Sequence, residues 1–218
     1  MSSRNSPESS TKPITQSPPA ALTLLTTKLY PPPARPGRVP RSHLIARLNE
    51  DRPLTLIAAP AGFGKSTLLA AWLADRTEGR GLRNEFVAAS PSPQSSSLSP
   101  RVAWLALDTD DNDPARFLTY LSAALDAFKP GLHTAALALL QAPGASPAAK
   151  VALTYLINSL SDLPGPCVLI LDDYHVIDSQ PVHEAFAYLI DHLPARDRRQ
   201  PRRPAAARVA MARARSTG

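Results

Sequence analysis

Apolar residues in this chain follow two alternating patterns, short continuous runs and runs with helical spacing. The continuous runs are five or six residues long and occupy residues 54–59, 102–107 and 167–171. A short apolar run that ends in turn residues is typical of a strand buried on both faces of a parallel sheet. The alternation therefore predicts an α/β fold, a parallel sheet with helices on both faces, and ligand sites at the carboxyl ends of its strands.

Helical spacing fills the segments between the predicted strands. Apolar residues recur every three or four positions within residues 43–49, 65–75, 114–128 and 181–193. Asp113 and Pro114 form a pair with which helices often begin, and Ser146 and Pro147 repeat that signal before a further helix. Trp72 and Trp104 are interpreted as core aromatic residues.

Three segments differ in composition from the rest and define the predicted domain boundaries. Residues 1–26 are rich in serine, proline and threonine, and residues 77–100 contain the low-complexity string SPSPQSSSLSP. Residues 195–218 are rich in arginine, proline and alanine. Such segments bury too little apolar surface to offset the entropy of ordering. We therefore predict one folded domain over residues 27–194, with a disordered insertion at 77–100 and disordered segments on either side.

The net charge of +6 belongs to the predicted C-terminal tail. Residues 195–218 hold eight arginines and one aspartate, so the remaining residues are close to neutral. A basic tail can bind nucleic acid through phosphates, but this one has no interleaved aromatic residues and no helix-turn-helix pattern. We interpret it as a solvated tail that does not read DNA sequence.

The remaining composition excludes several classes of protein. A single cysteine, Cys167, excludes a framework of intrachain disulfides. No apolar run approaches the roughly 18 residues that a membrane span needs, and the first residues lack the apolar core of a secretory signal. We expect a cytoplasmic protein with no membrane partner.

The strongest chemical signal is the string APAGFGKS at residues 59–66, between a predicted strand and a predicted helix. It matches the phosphate-binding loop G-x-x-x-x-G-K-[ST], except that Ala59 replaces the first glycine. Main-chain N–H groups of such a loop, together with the positive end of the helix dipole, bind phosphate. Lys65 can reach the β- and γ-phosphates, and the Ser66 hydroxyl can bind Mg²⁺. The predicted nucleotide-binding residues are Ala61, Gly62, Phe63, Gly64, Lys65, Ser66 and Thr67.

A second signal is the apolar strand VLIL, which is followed directly by Asp172 and Asp173. A buried strand that ends in an acidic residue is typical of the magnesium-binding segment of P-loop proteins. We predict that Asp172 holds Mg²⁺ together with Ser66, and that Asp173 orients or activates the attacking water as the catalytic residue.

Weaker candidates have two interpretations each. Four aspartates at positions 108, 110, 111 and 113 can form a cation site, but we favour a solvated loop with a helix cap. His175 is interpreted as a positioning or packing residue rather than a catalytic one. Arg41 is included among the nucleotide-binding candidates, although contact with water alone is an equal alternative.

Together these residues resemble the N-terminal ATPase domain of the large LuxR-type (maltose regulon activator-like) transcriptional regulators, which belong to the STAND class of P-loop ATPases. The resemblance extends over roughly residues 22–194 without the insertion. It rests on the loop and on the strings TKL at 27–29, DNDP at 111–114 and LDDYH at 171–175. Val39 and Arg41 before the first helix, and Phe117, also match.

The resemblance implies a molecular switch that uses ATP and Mg²⁺. In such proteins ATP and an inducer favour a self-associating form, slow hydrolysis resets it, and DNA is bound by a C-terminal helix-turn-helix domain. By position, the resemblance assigns Lys65, Ser66 and Asp172 to phosphate and Mg²⁺, and it assigns Asp173 to hydrolysis.

The resemblance also sets an expectation for the segment after residue 193. Family members continue there with an apolar strand that ends in an arginine sensing the γ-phosphate. We identify no such strand in residues 195–218, and no later sensor or DNA-binding segments. We therefore expect a C-terminally incomplete sheet with an exposed edge, and a truncated or frameshifted product.

Two alternative functions stay open beside the regulatory ATP-binding module with weak hydrolysis. One is a stand-alone P-loop ATPase or kinase-like enzyme, although the chain lacks a Leu-Ser-Gly-Gly signature and an arginine-bearing lid. The other is an inactive frameshifted fragment.

Overall fold

The computed structural model describes residues 23–33, 39, 41–50, 52, 54–78, 101–142, 148–163, 165–193 and 207–214. Most of the segments predicted to be disordered, namely residues 1–22, 79–100, 194–206 and 215–218, lie outside the described residues. The predicted helix signal at Ser146 and Pro147 lies outside them as well.

Four parallel strands form one sheet in the order β1-β4-β3-β2. The strands are β1 (Leu54–Ala59), β2 (Arg101–Ala106), β3 (Cys167–Asp172) and β4 (Ala207–Ala214). Each predicted strand is confirmed within one residue of its expected bounds. Strand β3 is buried along its whole length, as its continuous apolar sequence predicts.

Strand β4 corrects the expectation that residues 195–218 form a tail without a strand. It lies between β1 and β3, where Val209 pairs with Leu54 on one side and with Leu169 on the other. The side chains of Val209, Ala210 and Ala212 are at most 4% exposed. The continuous apolar run of β4 is only the four residues at 209–212, and pairing with a neighbouring strand on each side holds it in the sheet. The strand that we expected to be missing is therefore present in the sheet.

Six α-helices are present among the described residues: α1 (Ser42–Leu48), α2 (Lys65–Glu78), α3 (Pro114–Leu125), α4 (Leu132–Gln141), α5 (Ala148–Ser161) and α6 (Gln180–Asp191). All but α4 were predicted. Helix α4 follows Gly131, whose φ is +92°, and it has no side-chain cap. Residues 135–140 of this helix, AALALL, are apolar at every position, so they lack the spacing of an amphipathic helix, and only Leu132 and Ala136 of the helix are buried.

The helices cover both faces of the sheet, which confirms the predicted three-layer arrangement. Successive residues of a strand point to opposite faces. Val168 and Ile170 of β3 pack with residues of α1 and α2, whereas Leu169 and Leu171 pack with residues of α3, α5 and α6. Trp72 and Trp104 are both 2% exposed on the first face, as expected for core residues.

Strand β1 forms one edge of the sheet, where β4 is its partner among the described strands. Leu54 is 37% exposed and Leu56 is 53% exposed on this strand. We expected an exposed edge because of a missing strand, and that reason is wrong, since β4 is present in the sheet. The edge at β1 is the outer side of the first strand among the described residues. None of the helices in the described part of the chain is long and apolar enough to cross a membrane.

Candidate functional site

The loop between β1 and α2 is the centre of the candidate site. Gly62 and Gly64 have φ values of +79° and +74°, in the left-handed region that glycine adopts without strain. Ala59 lies within the regular ladder and pairs with Ala214, so the position of the missing first glycine requires no positive φ. Helix α2 begins at Lys65, and the first N–H groups of a helix have no partner within the helix.

Lys65 and Ser66 stand at the start of α2 and face the loop and β3. Lys65 is 8% exposed, and its Nζ donates to the carbonyl oxygens of Ala59 and Pro60 at 3.1 Å each. These bonds hold the ammonium group against the loop. The Ser66 side chain lies close enough to the Asp172 carboxylate to lower its pKa, so the start of α2 lies beside the end of β3.

A polar cavity of about 590 Å³ lies at the carboxyl ends of β1, β2 and β3. The structure therefore brings together predicted site residues that are a hundred positions apart in the chain. We call this space the polar cavity, and it is lined by residues that include Lys65, Ser66, Thr67, Asp108, Thr109, Asp173, His175 and Val176.

A second cavity of about 520 Å³ lies on the other side of the loop. We call it the apolar cavity because most of its lining side chains are aliphatic or aromatic, namely Val39, Ile45, Phe63, Leu68, Ala71 and Ala74. The charged side chains of Arg41 and Asp75 also line it. Gly62, Gly64 and Thr67 line both cavities, so the two are adjacent. Volumes of this size are typical of small-molecule sites.

Arg41 is hydrogen-bonded to the main chain of the loop and so supports it. The two interpretations from the sequence, contact with nucleotide or with water alone, did not include this role. Its Nη1 donates to the carbonyl oxygen of Phe63 at 3.0 Å. A Cβ on Gly64 would lie 3.6 Å from Nη2 of the same guanidinium group. The Phe63 side chain itself is 62% exposed.

Asp172 and Asp173 end β3 in different environments. Asp172 is 4% exposed, and Oδ1 of its carboxylate accepts from the Asp173 N–H at 3.1 Å. Burial raises the pKa of Asp172, and the nearby Ser66 hydroxyl offsets part of that effect, while the charge of Asp173 adds to it. The Asp173 side chain is 47% exposed, and its Oδ1 lies 3.7 Å from Nδ1 of His175.

The residues around Asp172 fit a magnesium ion. A buried carboxylate beside a serine hydroxyl offers two of the oxygen ligands that Mg²⁺ prefers, and this ion usually takes its remaining ligands from water and phosphate. In the described ranges, no group of three or more His, Cys, Asp or Glu side chains is placed to hold a metal by itself. The four aspartates at 108–113 therefore do not form a separate cation site.

Those aspartates have structural partners instead. Asp111 is fully buried and forms an ion pair with Lys28, so the solvated-loop interpretation is wrong for this residue. Asp113 accepts from the Arg116 N–H at 2.7 Å and caps α3, as expected. Burial alone would raise the pKa of Asp108, but the hydrogen bond and charge of Lys28 lower it below its ordinary value.

Sequence reasoning missed two residues that shape the polar cavity. Lys28 lies in a 3₁₀ turn at Thr26–Leu29, and its Nζ is 3.0 Å from Oδ2 of Asp108. Asn112 bonds to the loop that follows β3. Both residues belong to the strings TKL and DNDP that carry the resemblance, but nothing in their spacing indicates which residues they contact.

The parallel sheet with a glycine loop at the end of β1 defines a P-loop NTPase. Residues 41–201 match the AAA ATPase domain, and the chain belongs to this family. The chain is also similar to the HTH-type transcriptional regulator MalT of Yersinia enterocolitica, with 33% identity over 173 residues. MalT of Yersinia pestis (strain Pestoides F) is 32% identical over 173 residues. These alignments cover 78% of this chain and 16% of each relative, so the chain spans about a sixth of their length.

Proposed function

We propose that this chain is the ATP-binding and slowly ATP-hydrolysing switch module of a LuxR-type, STAND-class transcriptional regulator. The observation that carries the proposal is the glycine loop between two adjacent cavities, one lined by Lys65, Ser66 and Asp173 and the other lined mainly by aliphatic side chains. A nucleotide has a matching division into charged phosphates and a flat base whose two faces are apolar. Membership of the AAA ATPase family and similarity to proteins named as transcriptional regulators support the regulatory part.

The nucleotide fits across the loop with its phosphates in the polar cavity and its base in the apolar cavity. Gly62, Gly64 and Thr67, which line both, would meet the link between base and phosphates. Loop N–H groups and the Lys65 ammonium would then bind the phosphate oxygens. The apolar side chains Val39, Ile45 and Leu68, together with the Arg41 guanidinium, would hold the base.

Ser66 and Asp172 would hold Mg²⁺ beside the phosphates. The ion, when bound, neutralises the charge that builds up on the phosphate during transfer. Asp173 would orient the attacking water or accept its proton, since its half-exposed carboxylate faces the polar cavity. His175, at 3.7 Å from this carboxylate, is placed to position it.

A longer regulator would supply the remaining steps of the switch. Relatives named as HTH-type transcriptional regulators are about six times as long as the matched segment. We propose that self-association, an inducer and DNA act through such further segments. Nucleotide binding and hydrolysis in this module would then control those further segments.

Nucleotide titration tests the proposal directly. We expect a fluorescent ATP analogue to bind the purified chain with a micromolar dissociation constant, about −8 kcal/mol. Lys65→Ala removes charge-assisted hydrogen bonds worth roughly 1.5–3 kcal/mol each, so its affinity should fall at least about tenfold. Lys129→Ala is the matched control, because it removes an exposed ammonium group that lines neither cavity.

Equal affinities for the Lys65 and Lys129 variants would contradict the assignment of the loop. Release of inorganic phosphate without an added acceptor separates an ATPase from a kinase-like enzyme. We expect slow release that depends on Mg²⁺ and that Asp173→Asn abolishes.

A further inference from the structure

One side chain, that of Asn112, joins the two loops that face the polar cavity. Its Nδ2 donates to the carbonyl oxygens of Thr109 at 3.0 Å and Val176 at 2.9 Å. Its Oδ1 accepts from the main-chain N–H groups of Asp178 at 2.7 Å and Ser179 at 2.8 Å. Both N–H groups and both lone pairs of the amide are therefore used.

These bonds lie where the backbone ladder between the two strands has ended. The last backbone bond between the strand ends runs from the Leu107 N–H to the Asp172 oxygen at 3.0 Å. Beyond it, the loop after β2 and the loop after β3 separate around the cavity. In the described part of the chain, Asn112 supplies the hydrogen bonds that join them, and its partners Thr109 and Val176 both line the polar cavity.

The turn that Asn112 holds begins at a strained residue. Asp173 has φ +56° and is the one non-glycine residue with a positive φ among the described residues. This conformation crowds Cβ against the backbone, and it persists where the surroundings hold it. The Asp173 oxygen accepts from the Val176 N–H at 3.1 Å, and Val176 is the residue whose own carbonyl Asn112 binds.

We propose that Asn112 is a positioning residue that fixes the Asp173 carboxylate at the polar cavity. The inference rests on the proposed function, in which Asp173 takes part in ATP hydrolysis. Asn112 holds the far end of the turn from Val176 to Ser179, while Asp172 holds the near end through the Asp173 N–H. With the far end released, Asp173 can relax from its strained backbone and its carboxylate moves.

A displaced carboxylate affects turnover more than binding. The groups proposed to bind nucleotide lie in the loop at residues 61–67 and in the apolar cavity, and none of them is bonded to Asn112. Small misplacement of a catalytic group has large effects on rate. If Asn112 positions Asp173, its loss should reduce the hydrolysis rate and leave the dissociation constant for ATP unchanged. A general loss of structure would change both.

Two variants of Asn112 and one neighbouring control test the inference. Asn112→Ala removes all four bonds, whereas Asn112→Asp keeps the shape and the accepted bonds but loses the donated ones. Asp113→Ala is the control, because it removes a helix cap next to Asn112 that has no bond to the loop after β3. For each protein we would measure ATP affinity, single-turnover hydrolysis at saturating ATP and Mg²⁺, and hydrogen exchange of residues 174–179.

For both Asn112 variants we expect a hydrolysis rate at least tenfold lower, an affinity within threefold of wild type, and faster exchange in residues 174–179. Asp113→Ala should keep its rate within twofold. Unchanged rates in the Asn112 variants overturn the inference, and so does a parallel loss of affinity and rate. If Asn112→Ala does not fold, Asn112→Asp decides by the same criteria.

Failure of the proposed function has a different signature. In that case the wild-type chain itself hydrolyses ATP no faster than Asp173→Asn, and the inference about Asn112 falls with it. If the wild type hydrolyses ATP and the Asn112 variants match it, only the positioning role is wrong.

Discussion

Lys28 and Asp111 form a buried ion pair between segments that lie 83 positions apart in the chain. Lys28 is 6% exposed and Asp111 is fully buried. Lys28 Nζ also contacts Asp108 at 3.0 Å and lies 4.3 Å from the centre of the Tyr120 ring. The ion pair therefore connects the 3₁₀ turn at Thr26–Leu29 to the loop that follows β2, and this loop borders the polar cavity.

Lys28→Met should strongly destabilise the fold, because it leaves the Asp111 carboxylate buried without its main cationic partner. Removing one member of a buried pair typically costs about 3–5 kcal/mol. Chemical denaturation would measure the change in the free energy of unfolding. The double variant Lys28→Met, Asp111→Leu should recover part of the loss, since it removes both charges together.

An exposed ion pair provides the control for this prediction. Arg52 and Glu50 are 2.7 Å apart with side chains 64% and 44% exposed, so Arg52→Ala should cost less than about 1 kcal/mol. A similar loss for the Lys28 and Arg52 variants would argue against a special role for the buried pair.

Gly64→Ala should weaken nucleotide binding as well as the fold. Its φ of +74° is costly for alanine, by roughly 1–2 kcal/mol. Gly131→Ala has the same type of strain at φ +92°, with open space around the added methyl group and no part in either cavity. We expect similar losses of stability in thermal denaturation, and reduced nucleotide affinity for Gly64→Ala alone. If the Gly64→Ala and Gly131→Ala variants bind nucleotide with equal affinity, the backbone conformation of Gly64 does not contribute to binding.

Asp172→Asn should stabilise the fold while it removes Mg²⁺-dependent binding. A raised pKa means that the folded state holds the proton more tightly than the unfolded chain, so stability is lost as the pH rises through the folded pKa. Asparagine carries no charge, and we expect a gain on the order of 1 kcal/mol at pH 7 in the presence of EDTA. Urea denaturation should show this gain shrinking near pH 4, and a less stable variant at pH 7 would contradict the prediction.

Cys167 should resist thiol reagents in the native protein. It is 1% exposed at the start of β3, and burial raises its pKa to about 11, so little reactive thiolate exists at pH 8. Ellman's reagent should modify the chain readily in 6 M urea and only through unfolding in buffer. If the native chain is labelled as rapidly as glutathione at the same pH, the prediction is wrong.

The local signals in the sequence predicted most of the fold because they depend on neighbouring residues. Strands β1, β2 and β3 are continuous apolar runs, and α3 begins at the Asp113 and Pro114 pair. Strand β4 was missed for a physical reason. Its apolar run, residues 209–212, is shorter than those of the other strands and rich in alanine, which is depleted in strands. Its place between β1 and β3 comes from pairing on both sides.

The sequence by itself determined the glycine loop, the acidic end of β3 and the alternation of strands and helices, since each needs only a few adjacent residues. The tertiary structure decided the order of the strands, the partner of Lys28, the bracing of the loop by Arg41 and the four bonds of Asn112. The side-chain contacts among them join residues from 22 to 83 positions apart. The type of a residue determines which kinds of bond its side chain can form. Only the folded chain determines which other residues lie within its reach.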